Sequence, residues 1–76
     1  MICGELSMSA QRLEKFGDQV RAIRREQGIA QEALAVLAGL DRSYMGRVER
    51  GEINISLTKI YQIADALKVS PREFFT

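Results

Sequence analysis

Gln31-Glu32-Ala33-Leu34-Ala35-Val36-Leu37-Ala38-Gly39-Leu40-Asp41-Arg42-Ser43-Tyr44-Met45-Gly46-Arg47-Val48-Glu49-Arg50-Gly51 reads as two short helices joined by a tight corner. Leu34, Ala35, Leu37 and Ala38 supply an inner face for the first, from about Gln31 to Ala38. Gly39 stops it, because a turn this close needs the left-handed backbone that glycine adopts without steric cost. Asp41 is a good N-cap for the second, from about Arg42 to Arg50, and Gly51 ends it. Gly39, Leu40 and Asp41 alone separate the two, and a connection that short forces a sharp crossing, the geometry of a helix-turn-helix. Ala35 is small where the helices back onto each other, and Leu40, Met45 and Val48 point inward to pin the second.

A helical wheel tests whether the pinned helix keeps a free face. With Arg42 at zero and about 100° per residue, Met45 falls near 300° and Val48 near 240°, the buried side. Arg42, Gly46, Arg50, Ser43 and Arg47 fall between about 0° and 140°, with Tyr44 and Glu49 flanking. An isolated arginine cluster is usually a solvated helix face. On a helix held by a short corner it has another use: one α-helix fits the DNA major groove, and arginine can bond guanine O6 and N7 together. Of the eleven basic residues eight are arginine, the side chain suited to bidentate contacts with phosphate and base edges.

Outward from this corner the chain stays helical. The single proline, Pro71, leaves long helices permitted almost everywhere else. A first helix is predicted from about Ala10 to Gln27, with Leu13, Phe16, Val20 and Ile23 as its apolar stripe and Gly28 as its stop. Residues 1–9 read as a mobile N-terminal tail, with Met8 a second candidate start, and residues 10–76 as one domain. Gly51 to Ile55 form a connector whose isoleucines tuck toward the core. Ser56 caps a fourth helix, about Leu57 to Leu67, with Leu57, Ile60, Ile63, Ala64 and Leu67 at helical period. Ser70, Pro71 and Glu73 have the pattern of a capping box with proline at the first helical position, opening a short fifth helix that holds Phe74 and Phe75. The expected fold class is all-α: five helices, no sheet.

Composition narrows the chemistry. With 76 residues there is room for one domain with a thin core. One cysteine, Cys3, excludes an internal disulfide, and the absence of histidine excludes the usual zinc sites and Ser/Cys–His catalysis. The acids Glu14, Asp18, Glu26 and Glu32 are scattered along helix surfaces without a convergent pocket, so no enzyme, metal or cofactor is expected. No apolar run spans a membrane and no basic leader precedes one, so a cytoplasmic protein is expected. A fold this small without staples commonly gains stability from a partner subunit, and the terminal aromatics Phe74 and Phe75 are a candidate self-association surface.

The runs Gln31-Glu32-Ala33-Leu34-Ala35, Ala38-Gly39-Leu40-Asp41-Arg42-Ser43-Tyr44 and Val48-Glu49-Arg50-Gly51, with Ile63-Ala64-Asp65-Ala66-Leu67-Lys68-Val69-Ser70-Pro71, resemble the phage repressor/Cro-type (xenobiotic-response-element type) DNA-binding domains over about residues 13 to 75. The resemblance implies a five-helix repressor-like domain, double-stranded DNA as partner and a homodimer on a near-palindromic operator. Small stand-alone members include controller proteins of restriction–modification systems, phage and prophage repressors, and antitoxins. It places Arg42, Ser43 and Arg47 at base-reading positions and Gln31 on a backbone phosphate. Tyr44 would touch phosphate or sugar, and Asn54 lies in a loop that contacts backbone. Arg50 is read as a phosphate contact or a solvated side chain. Arg24 and Glu49 fall where the family has a structural ion pair. Three departures stand out: Ala30 where a hydroxyl cap is usual, Gly46 inside the recognition helix, and the acid Glu52 in the loop.

The net charge of +1 is low for a nucleic-acid binder, and it keeps open a second class, an antitoxin or other interaction module whose main partner is a protein.

Overall fold

In the computed structural model, four α-helices follow one another as α1 (Ile2–Glu26), α2 (Gln31–Ala38), α3 (Arg42–Glu49) and α4 (Leu57–Leu67), and a 3₁₀ helix (Pro71–Phe75) closes the chain. The structure describes the backbone of residues 2–76 and the side chains of residues 9–76. Apart from Ser9, the side chains of the tail expected over residues 1–9 lie outside the described residues. The backbone of α1 begins well upstream of Ala10, where the apolar period starts. The fold is all-helical among the described residues, but the fifth element is a 3₁₀ helix and not an α-helix. Pro71 presets its first turn and Ser70 accepts from the Arg72 N–H at a long 3.4 Å.

Leu34, Val20, Met45, Ile63 and Ala64 are fully buried, and Val48, Leu67 and Phe74 nearly so. Phe16 meets Phe74 edge-on at 5.4 Å between ring centroids, which fastens the chain end to α1. Ile23, Leu40, Ile53, Ile55 and Ile60 pack around this centre half-buried. Two expected core positions do not belong to it. Leu37 is 60% exposed and Leu57 66% exposed. Both lie at the margin of their helix's apolar arc, and α2 is too short to bury more than Leu34, Ala35 and Ala38.

The corners follow the chemistry of their residues. Gly39 has φ 70° and ψ 32°, and its N–H and that of Leu40 close the end of α2 on Val36 and Ala35 carbonyls. Ala30, in extended conformation before α2, makes no side-chain cap. Asp41 sits at the N-cap of α3, but its carboxylate accepts from the Ser43 hydroxyl and closes no cap on the backbone. Lys68, a non-glycine residue, takes the left-handed position after α4 with φ 58°.

Two glycines let α1 approach α3 and the loop after it. A Cβ on Gly17 would stand 2.5 Å from the Glu49 carbonyl oxygen and 2.6 Å from that of Val48. A Cβ on Gly51 would stand 2.7 Å from the Glu14 Cα. The backbones touch there, and α3 is held at a fixed height above the first helix.

Candidate nucleic-acid interface

The outer surface of α3 is built on a buried ion pair. Arg24, from the last turn of α1, donates from Nε to Glu49 Oε2 at 2.7 Å and from Nη2 to Oε1 at 3.0 Å. Its Nη1 reaches the Ile29 carbonyl at 2.9 Å. Both side chains are buried, at 9% and 2% exposure, and the bidentate geometry satisfies each charge. Gln31 completes the group, its Nε2 donating to Glu49 Oε1 at 3.1 Å. No buried side-chain nitrogen or oxygen among the described residues lacks a partner. One network therefore joins the end of α1, the start of α2 and the end of α3.

Above it lies a shallow depression of about 410 Å³ lined by Gln31, Arg42, Ser43, Gly46, Arg47 and Arg50. Arg42, Ser43, Arg47 and Arg50 are exposed and Gln31 is half-buried. Gly46 is not on the surface, as its wheel position predicts, but buried. It has no side chain to project, and Arg50 and Gln31 cross over it: a Cβ there would lie 3.2 Å from Arg50 Nη1 and 3.4 Å from Gln31 Oε1. The glycine is the floor of the depression and the guanidiniums its walls.

The remaining expected positions, Tyr44 and Asn54, do not line it. Tyr44 is half-buried and its ring lies under the Lys59 ammonium, Nζ at 5.6 Å from the centroid. Asn54 is exposed in the loop between α3 and α4. Lys59 was missed by the sequence reading. Its signal is the Ser56 cap: the Ser56 hydroxyl accepts from the Lys59 N–H at 3.3 Å, which fixes Lys59 in the first turn of α4, next to that loop.

The face also carries acids that the sequence reading did not connect to it. Arg42 Nη1 lies 2.9 Å from Glu32 Oε2. Arg50 forms a fork with Glu52, Nε to Oε2 at 3.0 Å and Nη2 to Oε1 at 3.3 Å. The Ser43 hydroxyl hydrogen and the Arg50 side chain hold the Asp41 and Glu52 carboxyls below their usual range, so both stay ionised at neutral pH. Glu52 in turn raises Arg50. Arg47 has no salt bridge within 4 Å among the described residues.

Phe74 and Phe75 divide. Phe74 is 1% exposed and committed to the core, which removes it from any subunit contact. Phe75 is 64% exposed, and Tyr61 and Leu57, one turn apart on α4, are 50% and 66% exposed. Among the described residues, no helix is long and apolar enough to cross a membrane, and no group of three or more His, Cys, Asp or Glu could hold a metal ion.

A family model described as helix-turn-helix matches residues 20–74. The chain is 38% identical over 63 residues to control protein C.SmaI of Serratia marcescens, covering 83% of this chain and 75% of that protein. It is 42% identical over 59 residues to control protein C.BamHI of Bacillus amyloliquefaciens, covering 76% and 73%. Among solved structures, the restriction-modification controller protein C.AhdI from Aeromonas hydrophila superposes with a TM-score of 0.81 at 54% identity, covering 83% of this chain and 96% of that one.

Proposed function

The chain belongs to the helix-turn-helix family of DNA-binding transcription regulators, and from that premise we propose that it is a controller-type regulator that reads the major groove of double-stranded DNA with α3. The observation that carries the reading is the exposure of Arg42, Ser43 and Arg47 on a helix whose opposite side, Met45 and Val48, is buried. In this reading Arg42, Ser43 and Arg47 meet base edges. Gln31, with one N–H of its amide committed to Glu49, keeps the other for a phosphate. Tyr44, Arg50, Asn54 and Lys59 meet the backbone and set register, which carries no sequence information of its own.

We further infer a homodimer on a near-palindromic site, with two copies of α3 entering successive major grooves about 34 Å apart. Phe75, Leu57 and Tyr61 supply the exposed apolar area for the contact, and a cytoplasmic location goes with this work. The test is selection of bound duplexes from a random-sequence pool, followed by footprinting and sedimentation. Enrichment of a two-fold site, protected on one DNA face by a dimer, supports the reading. A chain that enriches no sequence and co-purifies stoichiometrically with another protein overturns it in favour of an interaction module.

A further inference from the structure

Every charged group on the depression except Arg47 is already partnered by an acid of the same chain. Glu32 projects from the first turn of α2 to Arg42, and Glu52 folds back from the loop to Arg50. Neither pair carries much of the stability: both are solvent-exposed, at 71%/62% and 57%/50%, and such pairs add little, the local service of Glu32 being its charge in the first turn of α2. Both stand against arginines that line the depression. The face of a DNA reader would gain general affinity if Glu32 and Glu52 were neutral, because each freed arginine could neutralise a phosphate and release a counterion.

Resting on the DNA-reading role, we propose that Glu32 and Glu52 are specificity-determining residues: they occupy Arg42 and Arg50 in the free protein and compete with phosphate for them. A complex without the matching base offers Arg42 a phosphate, a monodentate gain set against the lost Glu32 contact and the repulsion of its carboxylate. A site presenting guanine O6 and N7 offers two directed bonds in place of one exposed ion pair. The acids thus weigh most on complexes held through phosphate alone, where the carboxylates stay beside the backbone they repel, and least where a base contact draws Arg42 into the groove. Asp41 acts in the same sense on Ser43, whose hydroxyl hydrogen is committed to the Asp41 carboxylate until a base or phosphate oxygen replaces it. The near-neutral net charge of the whole chain has a local counterpart in this matched set of arginines and acids.

The experiment is fluorescence anisotropy with the full chain, using a random-sequence duplex pool and, separately, duplexes enriched from that pool by the wild type, over a series of NaCl concentrations. E32Q/E52Q is expected to bind the pool about tenfold tighter, with a log–log salt slope steeper by roughly 1–2. The gain on enriched duplexes is expected to be smaller, so the ratio of the two affinities falls. A control with the same charge change off the face, D65N/E26Q, is expected to fall well short of that gain on the pool. In an R42A background, E32Q is expected to lose its effect. Equal gains on pool and enriched duplexes, or a control as effective as E32Q/E52Q, overturn the proposal. A wild type that enriches nothing defeats the DNA-reading role and this proposal with it, and that failure is visible before any variant is compared.

Discussion

Gln31 Nε2 donates to Glu49 Oε1 at 3.1 Å, so the first residue of α2 is tied to the last residue of α3 across the mouth of the corner. The carboxylate that receives this bond is the one that Arg24 grips from below with two nitrogens. The crossing of α2 and α3 is therefore set at two levels, by apolar packing of Leu34, Ala35, Met45 and Val48 and by a charged triad at the open side.

Neutralising the acid alone should expose the cost of that arrangement. Glu49→Gln leaves a buried guanidinium without its counter-charge, and breaking a buried pair in this way costs about 3–5 kcal/mol. For a domain of this size that is a large part of the total stability. Urea denaturation followed by circular dichroism measures it. A loss below about 1 kcal/mol would mean that water reaches Arg24 and replaces the carboxylate.

The two helical glycines of known surroundings should respond oppositely to the same substitution. Gly17→Ala puts a methyl group against two backbone carbonyls that cannot yield, at 2.5 and 2.6 Å, so α1 and α3 must separate. The penalty of overpacking, about 1–3 kcal/mol, outweighs the gain of roughly 1 kcal/mol in helix propensity. Gly46→Ala meets only the ends of Arg50 and Gln31, at 3.2 and 3.4 Å, which are flexible side chains. There the propensity term wins, and stability should rise by up to about 1 kcal/mol. Thermal unfolding of the two variants checks the pair: a lower midpoint for the first and a higher one for the second.

These glycines mark what the sequence could and could not convey. The bounds of α2 and α4 are written locally: Gly39 ends one, Ser56 begins the other, and apolar spacing fills each. The inward aim of Met45 and Val48 follows from periodicity. Contacts between segments distant in the chain are another matter. Gly46 is buried because Gln31 and Arg50 reach over it, and a wheel drawn on α3 alone cannot include a residue of α2. The Glu32–Arg42 pair escaped for the same reason. Leu37 and Leu57 have core-like chemistry but lie at the edge of their helical arcs, where burial depends on whether a neighbour covers them. Phe74 and Phe75 are adjacent and chemically alike, and both rings meet Phe16, at 5.4 and 5.5 Å between centroids, yet the turn of the 3₁₀ helix buries Phe74 and leaves Phe75 largely exposed.

The missing cap at Ala30 offers a gain of stability. Its φ of −70° and ψ of 155° are those of an N-cap residue, and no side chain there accepts from the α2 backbone. Ala30→Ser supplies a hydroxyl in the right place without altering the extended backbone, and should stabilise the domain by about 0.5–2 kcal/mol. The urea midpoint should rise with an unchanged slope. An unchanged midpoint would show that solvent already satisfies the first N–H groups of α2.

Arg42 and Gln31 line the same depression, and the proposed roles separate them by how their loss depends on DNA sequence. Arg42→Ala removes a base contact and should cost about 1–3 kcal/mol on the preferred site, with base preference relaxed at the position it reads and little change on random duplex. Gln31→Ala removes a phosphate contact and should weaken binding to both kinds of DNA by a similar factor. Each variant should be titrated against the enriched duplex, single-base variants of it and the random pool. Equal losses for Arg42→Ala on all three would take Arg42 out of base reading. A change in base preference on Gln31→Ala would show that its carboxamide, whose Oε1 faces the floor at Gly46, reads a base instead of holding the backbone.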